Sequence, residues 1–82
     1  MKNKATYYSA NKFTNFADWL AVNITAAHMI QSELASLMGV TQGYISACKT
    51  GRYTPVNLGT VTNFAKAFGH DEDSYDLWDI CW

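Results

Sequence analysis

Gln42, Gly43, Ser46, Ala47 and Thr50 fall at the i, i+1, i+4, i+5 and i+8 spacing that lines one side of a helix, with Tyr44 at its edge. None is charged, and each is small or carries a hydrogen-bonding group. Such a face makes and breaks no bonds. It suits hydrogen bonds and methyl contacts with base edges, which display donors, acceptors and methyl groups in a fixed order. Tyr44 can stack, donate to a phosphate or cover the edge of a core. Bond-making chemistry has no comparable candidate. His28 and His70 have no nucleophile at a useful spacing, so no catalytic trio is expected and the chain does not read as an enzyme. Cys48 and Cys81 are too few and too far apart for a disulfide framework or a zinc site. Cys48 reads as a small buried hydrophobe, and Cys81 as an exposed, oxidisable thiol. His70, Asp71, Asp73 and Asp76 include metal-binding types, but read more simply as the solvated, capped start of a helix. No glycine motif cradles a phosphate, and no cofactor is expected.

The net charge of −1 conceals a division. Residues 1–70 hold all six cations (Lys2, Lys4, Lys12, Lys49, Arg52, Lys66) against two acids, Asp18 and Glu33, a net +4. The other five acids, Asp71, Glu72, Asp73, Asp76 and Asp79, close the sequence, and none lies between Glu33 and Asp71. An acid-free, mildly cationic surface suits a polyanion, although the strongly basic signature of many nucleic-acid binders is missing. With 82 residues, 49% of them hydrophobic and 16% charged, the chain fits one small folded domain and not a disordered one. No apolar run reaches the ~20 residues of a membrane span, and the first residues lack the apolar stretch of a secretory signal. A soluble cytoplasmic domain without a small-molecule substrate is the expectation.

Apolar residues recur at helical spacing and strict alternation is absent, which predicts an all-α fold. Residues 1–12 read as a flexible arm bearing Lys2, Lys4 and Lys12, ahead of a domain over 13–82. A first helix, capped by Thr14 or Asn15, carries Phe16, Trp19, Leu20 and Val22. It is expected to stop at Asn23-Ile24-Thr25, which pairs β-branched residues with a poor helix former. A second covers Gln31 to Met38. Its start is open: Thr25 caps a longer helix, or the chain turns near Met29. His28 reads as a packed or half-exposed helical residue. Leu34, Ala35 and Met38 point inward, and Gly39 ends the helix in the left-handed region. Thr41 caps a third helix from Gln42 to about Thr50, with Ile45 and Cys48 inward. Arg52-Tyr53-Thr54-Pro55 forms a loop. Asn57 caps a fourth helix carrying Leu58, Val61, Phe64, Ala65 and Phe68. Asp71 or Asp73 caps a fifth, short helix whose apolar residues are Tyr75, Leu77 and Trp78.

The second and third helices, a unit of about residues 31–51, carry further marks of a steep, tight crossing. Ala35 is small where two axes approach, Val40 plugs the corner, and Ile45 packs the third helix back on the second. Gln31, Glu33-Leu34-Ala35, Gly39-Val40-Thr41-Gln42, Ile45, Gly51-Arg52, Pro55 and Phe64-Ala65-Lys66-Ala67-Phe68-Gly69 occur in that order. This pattern resembles the helix-turn-helix of the lambda-repressor and Cro family of bacterial and phage regulators, over about residues 14–80. The resemblance implies a compact five-helix domain that binds a double-stranded DNA operator as a homodimer and represses transcription, with its third helix in the major groove. By position it gives Gln42 the bidentate contact to adenine and places Gly43, Ser46 and Ala47 along the groove. It gives phosphate contacts to Gln31, Thr41, Lys49, Thr50 and Arg52. Three departures stand out. Ile30 occupies the place of a serine-like cap, the stretch from Asn15 to Gln31 is long, and the groove-facing set lacks arginine and lysine. The last departure points to an A·T-leaning site or to shape readout.

Tyr75 to Trp82 is rich in large apolar side chains. Either it closes the core, or Leu77, Trp78 and Trp82 form the seam of the homodimer, as the last helix often does in that family. The rival reading keeps the fold but makes it a protein-interaction module, antitoxin- or inhibitor-like, working through this aromatic surface.

Overall fold

The computed structural model describes residues 6–82, and among them the architecture is five α-helices with no strand. Helix α1 (Phe16–Ala26) starts where the Asn15 side chain accepts the Asp18 N–H at 2.8 Å. Asp18 also places a carboxylate at the positive end of the helix dipole. Phe16, Trp19, Leu20, Asn23 and Ile24 bury one continuous stripe. The helix therefore runs past the expected stop at Asn23–Thr25, because burial of Asn23 and Ile24 outweighs their weak intrinsic preference.

The end of α1 also settles the start of α2 (Gln31–Met38). His28 takes a φ of +56°, and the Met29 N–H returns to the Ile24 carbonyl at 3.1 Å. The chain thus turns near Met29, and Thr25 does not cap a longer helix. His28 is neither packed nor helical: it is exposed, in a conformation that costs a non-glycine residue about 1–2 kcal/mol. His28→Gly is expected to raise stability by about 1 kcal/mol, or about 4–8 °C in Tm for a domain of this size. Thermal unfolding followed by circular dichroism checks this; an unchanged or lower Tm contradicts it. Ile30 has no capping side chain. Instead the Glu33 carboxylate reaches back to accept the Ile30 N–H at 2.9 Å.

Gly39, at φ +71°, ends α2, and the Val40 N–H bonds the Ala35 carbonyl at 3.0 Å. A Cβ at Gly39 would meet nothing within 4 Å, so conformation rather than space calls for glycine there. Helix α3 (Gln42–Lys49) follows, with the Thr41 hydroxyl accepting the Tyr44 N–H at 3.1 Å. Helix α4 (Leu58–Ala67) is capped by Asn57, whose side chain accepts the Thr60 N–H at 2.8 Å. A 3-10 turn at Asp71–Asp73 leads into α5 (Ser74–Cys81).

Trp19, Leu20, Leu34, Ile45, Val61, Phe64 and Leu77, with Phe16, fill the core between the five helices. Phe16 meets Phe64 edge-on at 4.9 Å, and Trp19 meets Phe68 edge-on at 5.4 Å. The Cα radius of gyration, 11.6 Å, matches the roughly 12 Å of a folded chain this long. No described helix is long and apolar enough to cross a membrane.

Two expectations about the ends need correction. Residues 6–12 are not a free arm. Ala10 is fully buried within a 3-10 turn at Ala10–Lys12. Tyr8 exchanges two hydrogen bonds with the buried Asn23 side chain, its N–H donating at 2.9 Å and its carbonyl accepting at 3.0 Å. Residues 1–5, with Lys2 and Lys4, lie outside the described residues. Nor does the Asp73 side chain cap α5. Its buried carboxylate accepts the Ala10 N–H at 2.8 Å and the Tyr7 hydroxyl. Burial and this carboxylate hold the Tyr7 phenol above the ordinary tyrosine range.

Candidate nucleic-acid interface

Helix α3 packs against α1 and α2. It turns Ile45 and Cys48 inward, where both are fully buried. Burial pushes the Cys48 thiol up to about 11, as it suits a packing residue and not a reactive one. The opposite side is open. Gln42, Gly43 and Thr50 are exposed, and Ser46 and Ala47 are half-buried beside them. The structure therefore brings all five onto one accessible face. A Cβ at Gly43 would have only the Thr41 hydroxyl near it, at 4.0 Å, so no described residue crowds this position of the helix.

The flanking residues are placed unequally. Thr41 and Arg52 are exposed at the two ends of α3, while Lys49 and Gln31 are half-buried. Neither Lys49 nor Arg52 forms an ion pair among the described residues, where the sole pair is His70–Glu72 at 3.0 Å. The Thr50 hydroxyl donates back to the Ser46 carbonyl at 3.0 Å, so its proton is already committed and only its oxygen remains to accept. Tyr44 covers the core edge. Its half-buried ring lies 5.3 Å from Tyr53 and 6.2 Å, stacked, from Phe64. Burial, with Cys48 and Tyr53 as neighbours, raises its phenol above the ordinary range.

Sequence reasoning named Tyr53 and Pro55 as loop residues but missed how they are held. Pro55 is fully buried, and the N–H groups of Arg52 and Tyr53 both bond the Ala47 carbonyl, at 2.9 and 3.2 Å. This bracket holds the loop, and with it Arg52, against the last turn of α3. The dipeptide before proline was legible as a loop, but its anchoring on Ala47 has no local signal.

The residues proposed for a dimer seam are placed unequally. Leu77 is 0% exposed and belongs to the core, and Trp78 is half-buried against it. Trp82 alone of the three is strongly exposed, at 74%. Tyr75, on the same helix, is 71% exposed. Cys81 is half-buried, not exposed, and burial raises its thiol to about 11. The His70, Asp71, Asp73 and Asp76 side chains do not converge: Asp73 serves Tyr7 and Ala10, and His70 stacks on Tyr7 at 3.9 Å and pairs with Glu72. That pairing holds the Glu72 carboxyl below its usual range.

No family model matches the chain, and neither a curated protein nor a solved structure matches it.

Proposed function

We propose that the protein is a sequence-specific, double-stranded DNA-binding regulator of the repressor kind, with α2, the Gly39 turn and α3 acting as a helix-turn-helix. The observation that carries this reading is the open, uncharged face of α3, from Gln42 to Thr50. It is braced from behind by Ile45 and Cys48, with Gln42, Gly43 and Thr50 exposed and Ser46 and Ala47 half-buried. In the major groove Gln42 offers a paired donor and acceptor to adenine N6 and N7. The Ala47 methyl meets a thymine methyl, and Ser46 adapts to either partner. Gly43 lets the helix approach closely. Lys49, Arg52 and the first N–H groups of α2 and α3 meet phosphates, with Gln31 and Thr41 beside those termini. No acid occurs between Glu33 and Asp71, so α3 and the loop after it carry no carboxylate of their own.

Two copies on half-sites about 34 Å apart double the sequence that is read, and occupancy of the operator excludes polymerase. About six to eight phosphate contacts per pair give a slope of log K against log salt of about −5 to −7. Fluorescence anisotropy with a labelled duplex, titrated across salt concentrations, measures it. A slope near zero, or no binding at low salt, contradicts the reading.

A further inference from the structure

The outer side of α5 carries an unusual mixture. Tyr75, Asp76, Asp79 and Trp82 follow one another at i, i+1, i+4 and i+7, all exposed, and no cation occurs after Lys66. Two large aromatic rings thus stand in solvent within an acidic stripe. Elsewhere on the same molecule a groove of about 300 Å³ opens between α2 and α4, lined by Leu37, Met38, Asn63, Lys66 and Ala67. Leu37 is 64% exposed there, Lys66 is exposed and without an ion-pair partner among the described residues, and no acid lies between residues 34 and 70. One surface supplies rings and carboxylates. The other supplies a mixed hollow, large enough for one aromatic side chain, in which Leu37, Met38 and Ala67 stand beside Asn63 and Lys66.

From this complementarity we infer that the α5 stripe of one copy docks into the α2–α4 groove of a second copy, giving head-to-tail self-association. A two-fold seam through α5 is disfavoured, because it sets Asp76 and Asp79 against their own counterparts with no cation to offset them. The head-to-tail contact instead pairs the acids with Lys66 and covers Leu37 with a ring from Tyr75 or Trp82. Being heterologous, it leaves a free stripe and a free groove at the two ends and does not close at a dimer. Its small area makes it weak and concentration-dependent. The groove contains no residue of α3, so assembly leaves that face open, and the inference does not depend on the DNA reading.

Analytical ultracentrifugation of the DNA-free protein tests it with three samples: wild type, a groove variant (Leu37→Glu with Lys66→Glu) and a stripe variant (Asp79→Lys with Trp82→Ala). The average mass of wild type is expected to rise with concentration without a plateau at twice the monomer. Each variant alone should lose this rise. An equimolar mixture should regain one step and stop there, because the groove variant keeps its stripe and the stripe variant keeps its groove. Far-UV circular dichroism checks the folds. If a charged variant loses its helical signal, Leu37→Gln and Trp82→Gln replace the two. Wild type that stays monomeric or stops at a dimer, variants that associate like wild type, or a mixture no heavier than its parts would each overturn the inference.

Discussion

Gly43→Glu is expected to make the domain more stable and to abolish its binding to duplex DNA. Both effects come from one position. Gly43 is the second residue of α3, exposed, and a side chain there meets no obstacle. Exchanging glycine for a helix former gains about 0.5–1 kcal/mol. A carboxylate in the first turn adds a few tenths to about 1 kcal/mol through the helix dipole. On the proposed DNA-binding reading, the same carboxylate would enter the groove between two rows of phosphates. Such a like-charge contact costs several kcal/mol, which is a loss of about 100-fold or more. Thermal unfolding and duplex binding on one preparation separate the possibilities. A higher Tm with lost binding is expected. A higher Tm with unchanged binding removes α3 from the interface, and a lower Tm contradicts the description of Gly43 as an open helical position.

Asn23→Leu is expected to cost about 2–4 kcal/mol, a large share of the stability of so small a domain. The Asn23 side chain is 1% exposed and fully used. Its amide donates to the carbonyls of Tyr8 and Trp19, both at 3.0 Å, and its oxygen accepts the Tyr8 N–H at 2.9 Å. Leucine keeps the branched skeleton but has no polar atom, and it strands the Tyr8 backbone groups, which then lack a partner. The segment that Asn23 holds also buries Ala10 and delivers Tyr7 to Asp73, so the loss spreads to α5. Chemical denaturation should show the midpoint falling, and Tm should drop by about 10–30 °C. A change below about 0.5 kcal/mol would mean that residues 7–12 contribute no packing to the fold.

What the sequence revealed and what it hid divide along the range of the interactions. Asn15, Thr41 and Asn57 were legible as caps because a cap bonds a backbone N–H three residues away, as all three do here. The inward pair Ile45 and Cys48 and the turn at Gly39 were legible for the same reason, and with them the exposed face of α3. The anchoring of residues 7–12 was not, since its partners lie 15, 63 and 66 residues along the chain. Polar, lysine-bearing composition outweighed Tyr7, Tyr8 and Ala10 in suggesting a free arm. Asp73 had the residue type and position of a cap, and only the folded chain shows that its carboxylate points into the interior. In α5 the error was one of phase. Tyr75, Leu77, Trp78 and Trp82 are all apolar enough to face a core, but they do not share one side of the helix, and only Leu77 is fully buried. His28 carries no local mark of its left-handed conformation, which glycine or asparagine would have displayed.

The central claim is that the Gln42 to Thr50 side of α3 reads base edges. Selection of bound sequences from random duplex DNA, run side by side with wild type and Gln42→Ala, tests it most directly. An A·T-leaning half-site, occurring twice in the motif, should emerge with wild type. The alanine variant should relax one adenine position in each half-site and lose about 1–3 kcal/mol on the wild-type motif. No enriched motif, or the same motif at the same affinity for both proteins, would contradict it.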